Sequence, residues 1–497
     1  MEPIQNVLYG FQVALQPMNL IYCFFGVLLG TLVGVLPGLG PSAAIAMLLP
    51  STFKINPVSA TIMLAGIYYG AMYGGSTTSI LVNIPGEAAS VVTCMDGYQM
   101  ALRGRAGPAL GIAAFGSFIA GTFAVIALTL MGPPLAGIAL KFGFPEYFSM
   151  MIVGIVVLTY LSSGSMVKAL MMAMVGLILS GVGMDVISGI YRFSYFRILL
   201  DGIGIVPTVM GLFGISEVLI NLETEVKRTI VATRFKNLFP TIKDWADSIG
   251  SIIRGTILGF FLGIIPGGGS VIASFASYAI EKKVSKHPEE FGKGAIQGVA
   301  GPEAANNAGA GGAFIPLLTL GIPANPVIAI LLGALVIHGL QPGPLLMSKA
   351  PDLFWGTVTS MYLGNCMLLV LNLPLIGLWV QVLRVPYYLL YPLILLFCLI
   401  GSYSLDNRVG DVIVMLMFGM AGYLMKKFRY EGAPLVLALV LGRMLESNFR
   451  QSLISARGDF SIFVSRPISL GFLVVAALLL IIPIITQRKK LSTLEER

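Results

Sequence analysis

Two groups of polar side chains stand in segments that are otherwise apolar: Ser76, Thr77, Thr78, Ser79 and Asn83 in one, Glu303, Asn306, Asn307 and Asn325 in the other. Hydroxyls, amides and freed carbonyls beside Pro85 and Pro323 are oxygen ligands of the kind that coordinate sodium, whereas an intramembrane carboxylate can carry a proton. Interhelical hydrogen bonding would explain such residues one at a time. A carboxylate in a Gly/Ala/Asn-rich stretch needs a further reason. Ser76, Thr77, Thr78, Asn83, Glu303, Asn306, Asn307 and Asn325 are therefore read as candidate ligands for a coupling ion, sodium or proton.

A second chemistry belongs to the backbone. Gly38-Leu39-Gly40-Pro41-Ser42 and Gly267-Gly268-Gly269-Ser270 each follow a helical stretch and precede another apolar segment. Amides there lose their intrahelical partners, and at a helix start they favour an anion. Gly38, Gly40, Ser42, Gly267, Gly268, Gly269 and Ser270 are accordingly candidate ligands for a carboxylate substrate, held between two facing tips. A dinucleotide reading of Gly38–Ala43 fails for want of a polar βαβ context.

The elements that position these groups are written twice. Gly26, Gly30, Gly34, Gly38 and Gly40 with Pro37 recur 229 positions later as Gly255, Gly259, Gly263, Gly267, Gly269 and Pro266. Four-residue glycine spacing bares one helix face to a close neighbour, and the Pro-Gly-x-Gly after it breaks the helix. Gly74 and Asn83-Ile84-Pro85 match Gly312 and Gly321-Ile322-Pro323 at an offset of 238, and Pro145 and Tyr147 match Pro386 and Tyr388. Glu217 and Glu446 close each unit. Lysine and arginine bias reverses at matching loops: Lys54 against Lys282, Lys283, Lys286 and Lys293, then Arg103 and Arg105 against Lys349. Opposite bias is what inverted-topology repeats produce.

With 56% hydrophobic and 11% charged residues and a mean hydropathy of +0.89, the 497-residue chain is an integral membrane protein. About ten to fourteen hydrophobic segments are expected, in an all-α polytopic fold of two inverted repeats with broken helices or re-entrant hairpins. The formal charge of +8 falls in juxtamembrane loops, which the positive-inside rule explains without nucleic acid. The chain divides into an N-terminal segment (1–19), a first membrane unit (20–222), a charged cytoplasmic linker (223–249), a second unit (250–447), an extracytoplasmic loop (448–465), a final transmembrane helix (466–485) and a basic cytoplasmic tail (486–497). Met1–Asn19 lacks the marks of a cleavable signal. Cys23, Cys94, Cys366 and Cys398 show no CxxC spacing, and His287 and His338 no ligand spacing, so no metal beyond sodium and no organic cofactor is expected. Glu87, Asp96, Asp185 and Asp201 lie near segment ends and read as solvated or interfacial carboxylates, as Arg443 and Arg450 read as loop or interfacial cations.

The same residues resemble the large membrane subunit of the tripartite tricarboxylate transporters, the TctA family. The resemblance is carried by GVLPGLGPSAAIAMLLP at 34–50, YGGSTTSILVNIPGE at 73–87, GIIPGGGSVIASFASYAIEKK at 263–283, GPEAANNAGAGGAFIPLLTLGIPAN at 301–325 and LESNFRQSLISARGDFSIFVSRPIS at 445–469. It implies a bacterial inner-membrane symporter for small carboxylates such as citrate, other tricarboxylates or dicarboxylates. It also implies a small TctB-like membrane subunit and a TctC-like periplasmic binding protein, for which the loop at 448–465 is a candidate dock. Membrane lipids surround such a chain, and a homo-oligomer is compatible with it. No Walker A motif is present, so an ion gradient rather than ATP would drive uptake. Alternating access at a midplane site follows, with an elevator-like stroke by analogy with other inverted-repeat carriers. The rivals are a stand-alone carboxylate carrier or channel, and an intramembrane enzyme, which would need a nucleophile with its base or a metal-ligand cluster at membrane depth.

Overall fold

Prolines start the helices and glycines bring them together. Pro17, Pro41, Pro57, Pro326 and Pro351 open their helices, where the missing N–H leaves no bond unmade. The computed structural model describes residues 3–36, 40–160, 165–185, 187–223, 238–265, 269–385 and 387–495. Pro37, Gly38, Leu39, Pro266, Gly267, Gly268, Pro386 and linker residues 224–237 lie outside the described residues.

In the first half α1 (Pro3–Ala14) leads into α2 (Pro17–Val35), which stops at the first glycine tip, and α3 (Pro41–Leu48) turns back from it. α4 (Pro57–Val82) ends at Asn83 in the left-handed region, φ 59°, and α5 (Val91–Met100) follows the Ile84-Pro85 turn. The long α6 (Ala106–Ala139), α7 (Phe144–Tyr160) and α8 (Met166–Ser180) come next. A short hairpin then pairs β1 (Gly183–Met184) with β2 (Tyr191–Arg192), antiparallel. α9 (Ile205–Val209) runs through a π-helical turn at 210–215 into α10 (Ser216–Glu223).

The second half repeats the plan. α11 (Ile242–Ile264) reaches the second tip and α12 (Gly269–Val284) turns back; α13 (Gln297–Gly312) and α14 (Phe314–Leu320) together match α4 and end at Gly321, φ 73°. α15 (Pro326–Ile337) and the short α16 (Leu346–Lys349) precede α17 (Pro351–Asn372), the mate of α6. α18 (Ile376–Val382), α19 (Tyr387–Asp406), α20 (Val409–Lys427) and α21 (Gly432–Ser455) complete the unit. α22 (Ile462–Ser465) and α23 (Pro467–Glu495) follow it.

The glycine ladders pack as their spacing predicts, and identically in both halves. A Cβ at Gly26, Gly30 or Gly34 would strike the backbone of Met63, Ile67 or Ala71 on α4. A Cβ at Gly255, Gly259 or Gly263 would strike Gly301, Ala305 or Gly309 on α13. Each struck residue lies 238 positions after its mate. Backbone is thus packed on backbone in two parallel helix pairs, α2 on α4 and α11 on α13.

The halves also interlock. α6 packs on α11 and α13 of the second half, while its mate α17 packs on α2 and α4 of the first; α8 packs on α21, while α20 packs on α9 and the π turn. Such reciprocal exchange is the signature of a two-fold relation. Where α6 meets α17, Gly121 faces Asn365, Thr129 lies 3.0 Å from the Tyr362 hydroxyl, and Gly132 faces Phe354. One sequence rises as the other falls, so the mates are antiparallel and the repeats inverted. Ala106 and Gly132 are roughly 39 Å apart along α6. The loop with Arg103 and Arg105 and the loop with Lys349 therefore sit at opposite ends of the bundle.

Among the described residues, six helical stretches are long and apolar enough to cross a membrane, and shorter apolar helices accompany them. The fold is all-α and polytopic apart from the small hairpin. Two boundaries read from the sequence shift. Residues 242–249 belong to α11, whose start is fixed by a capping box between Thr241 and Asp244, rather than to the linker. The stretch at 448–455 continues α21, because no breaker intervenes before Gly458 (φ 88°), so the expected loop shrinks to the residues around α22.

Candidate functional site

Both helix breaks occur where the glycines place them. Gly40 is extended (φ −69°, ψ 163°) and caps α3, and Gly269 opens α12 at φ 52°, a conformation that favours glycine. Of the seven tip residues proposed from the sequence, Gly40, Ser42, Gly269 and Ser270 are described, and Ser270 is buried. The α12 tip leans on α13, where a Cβ at Gly309 would lie 3.3 Å from the Ser270 Cα, and Ser274 donates to the Pro302 carbonyl at 3.1 Å. At the other tip, Thr78 donates to the carbonyl of Val35, the last residue of α2, at 2.6 Å.

Between these tips the two polar groups meet. Glu303, 1% exposed on α13, accepts hydrogen bonds from Ser76 of α4 at 2.6 Å and from Thr93 of α5. Asn307, one turn on, donates to Ser117 of α6 at 2.7 Å and to the Glu303 carbonyl at 3.0 Å. Asn306 donates to Glu87 at 3.1 Å. A carboxylate of the second half is thus gripped by hydroxyls of the first. Beside Ser76 and Thr77 lies a cavity of about 10 Å³, also lined by Tyr73, Ser117 and Asn372, with room for a single water or bare monovalent ion. Ser79 Oγ, Asn306 Oδ1 and Asn372 Oδ1 are buried without a hydrogen-bond partner among the described residues, which leaves oxygen ligands unspent around the cluster.

The remaining candidates separate. Asn325 caps α15 by accepting from Ile328 N at 3.0 Å and donates to the Tyr68 hydroxyl at 3.0 Å, close under Gly269. Asn83 is exposed at the end of α4, away from the cluster. Its left-handed backbone, shared with Gly321, shows what it does there: it ends the helix.

The repeat explains one pair of bonds that neither half explains alone. Asn325 lies 238 positions after Glu87, and Asn306 lies 238 after Tyr68. The bond from Asn325 to Tyr68 is therefore the mate of the bond from Asn306 to Glu87, and both cross between the halves.

A model of the tripartite tricarboxylate transporter TctA family matches residues 20–437. The chain belongs to the TctA family. An uncharacterized 52.8 kDa protein from the TAR-I ttuC′ 3′ region of Agrobacterium vitis is 52% identical over 486 residues, 98% of this chain and 97% of the relative. A second Agrobacterium vitis protein, from the TAR-II ttuC′ 3′ region, is 50% identical over 234 residues, 46% of this chain and 97% of its own length. No solved structure matches the chain. TctA is a transporter family, so the chain is a multi-pass component of a tripartite transporter.

Three of the four carboxylates read as solvated or interfacial in this TctA chain are buried instead. Glu87 is 6% exposed and caps the turn before α5, accepting from Ala89 N at 2.6 Å. Asp185 is pinned by Ser188, by Arg450 at 2.7 Å and by Ile187 N, and these hydrogen bonds hold it well below the usual carboxylate range. Asp96 accepts from Gly292 N, Gly294 N and Ala295 N at 2.7–2.9 Å and from the Tyr278 hydroxyl at 2.9 Å. Only Asp201 is exposed, paired with Arg408. The partners of Asp96 and the arginine on Asp185 lie 182 to 265 residues along the chain and leave no local sequence signal.

Asp96 is the strongest polar clasp between α5 and the loop before α13. Asp96→Ala is expected to strand three backbone N–H groups and cost about 3 kcal/mol or more, whereas Asp96→Asn keeps an acceptor. Amide hydrogen exchange should show faster opening across 292–296 in the alanine variant and much less change in the asparagine one.

Proposed function

We propose that this chain is the membrane subunit through which a small carboxylate, a tricarboxylate such as citrate or a dicarboxylate, enters the cell down a sodium or proton gradient. A TctC-like binding protein would deliver the substrate and a small TctB-like subunit would complete the complex in the bacterial inner membrane. The observation that carries the reading is Glu303, buried between the halves on hydroxyls from Ser76 and Thr93 and flanked by the two helix breaks. A carboxylate at that depth costs several kcal/mol unless it serves an ion or proton. Binding a cation there would neutralise Glu303 and favour an anionic substrate at the adjoining amide tips.

Sidedness follows from charge. Arg105 pairs with Asp244, Lys426 with Glu217 and Lys427 with Glu223, and Lys168 donates to the Phe428 carbonyl, so the lysine-rich loops gather at the end read as cytoplasmic. Inverted, interlocked halves would supply two exchangeable arrangements of one site, which is alternating access; close backbone packing would let each parallel helix pair move as a unit against α6 and α17, an elevator-like stroke.

The test is uptake of labelled citrate and smaller carboxylates by proteoliposomes holding this chain, the small subunit and the binding protein, with sodium and proton gradients imposed separately. Uptake is expected to need the binding protein and to follow one gradient. Saturable uptake without the binding protein would favour a stand-alone carrier, and no uptake from folded protein would reject the carboxylate reading.

A further inference from the structure

The end of the bundle away from the lysine-rich loops carries a cleft between the β1–β2 hairpin and α21. Arg443, Glu446, Ser447 and Arg450 form one stripe of α21, facing Asp185 and Arg192. Arg192 grips Glu446 with both terminal nitrogens, at 2.9 and 3.0 Å, and Arg450 pairs with Asp185 at 2.7 Å and Glu446 at 3.2 Å. Three guanidiniums thus answer two carboxylates.

The surplus charge is Arg443. Its fork reaches only the Ser180 and Asp201 carbonyls, at 3.5 and 3.4 Å, the outer limit of a hydrogen bond, and among the described residues no carboxylate pairs with it. Arg192 Nε is buried in the same cleft without a partner among the described residues. Repeat symmetry accounts for Glu446, whose mate Glu217 pairs with Lys426. It does not account for Arg443 or Arg450, since Gly214 and Asn221 stand 229 positions before them. Arg443 also reaches the backbone just before α9, and α9 packs on α3, the helix that returns from the first glycine tip.

We infer that this cleft is an outer carboxylate-binding site, in which Arg443 takes a carboxylate of the incoming solute before it reaches the tips. The inference rests on the carboxylate reading proposed above. A planar fork with unspent donors matches a carboxylate bidentately. Arg443 is exposed beside the cleft, so its fork is open to a solute arriving at that end.

Equilibrium binding of labelled citrate to the chain in nanodiscs tests it, comparing wild type, Arg443→Gln, Arg443→Lys and the tip variant Ser270→Trp. Arg443→Gln should raise the citrate concentration for half occupancy of one class of site roughly tenfold or more. Arg443→Lys should fall between, added salt should weaken this class, and Ser270→Trp should leave it in place. If Ser270→Trp does not fold, the glutamine and lysine variants read the same class in the wild-type background. Citrate binding unaltered by Arg443→Gln overturns the inference, as does no citrate binding to folded wild type. Loss of binding-protein capture with citrate binding intact assigns Arg443 to a protein carboxylate and overturns it too. Arg443-dependent binding in a chain that transports no carboxylate would leave this site standing while the proposed function fell.

Discussion

Glu303→Gln is expected to abolish gradient-driven uptake while leaving the protein folded. Glutamine keeps the shape of the side chain; its oxygen accepts from one of the Ser76 and Thr93 hydroxyls and its amide donates to the other, so neither is left without a partner. What it removes is the charge. If sodium is the coupling ion, loss of a charge-assisted ligand should weaken cation binding roughly 10- to 100-fold, read as a shift in the sodium concentration for half-maximal uptake. If a proton is the ion, the amide mimics the protonated state, so net uptake should vanish while exchange of labelled for unlabelled substrate persists. Glu303→Ala is the contrasting variant, because it strands both hydroxyls and should lower stability as well. Gradient-driven uptake at the wild-type rate in Glu303→Gln would remove Glu303 from the coupling mechanism.

Gly259→Leu should prevent assembly of the α11–α13 pair. A Cβ at Gly259 would sit 2.5 Å from the Ala305 Cα and 2.7 Å from its carbonyl carbon, and backbone cannot rotate out of the way as a side chain can. α11 and α13 would have to part along their whole contact, which costs about 3 kcal/mol or more and opens the wall against which the second tip rests. The expected outcome is loss of the monodisperse peak in detergent. Gly137→Ala on α6, where a Cβ meets nothing within 4 Å, is the matched control and should behave as wild type. A folded, active Gly259→Leu would show that the ladder is not the packing face.

The glycine ladders were legible because close helix packing in a membrane is written locally. A residue must be small at every fourth position or the backbones cannot meet, and both copies obey the rule at the same offset. Glu303, Ser76 and Asn307 were legible for a related reason, since a polar side chain in an apolar run stands out against its neighbours. Thr93 and Glu87 were not, although they complete the cluster, because each sits near a helix end where polar residues are common, and Ser117 was not because a lone small hydroxyl in an apolar helix can bond to its own backbone. Asn83 was legible as polar, but its place at the end of α4 was not. Its role depends on a positive φ that no side-chain pattern announces.

The sequence by itself determined the membrane class, the duplicated unit, the broken helices and the family, all properties of composition and spacing along one chain. The tertiary structure decided which polar residues share a site. That choice rests on contacts between halves more than two hundred residues apart, such as Ser76 with Glu303 and Asn306 with Glu87. The two-fold exchange of the inverted repeats alone brings them together, and burial then requires each to find its partner.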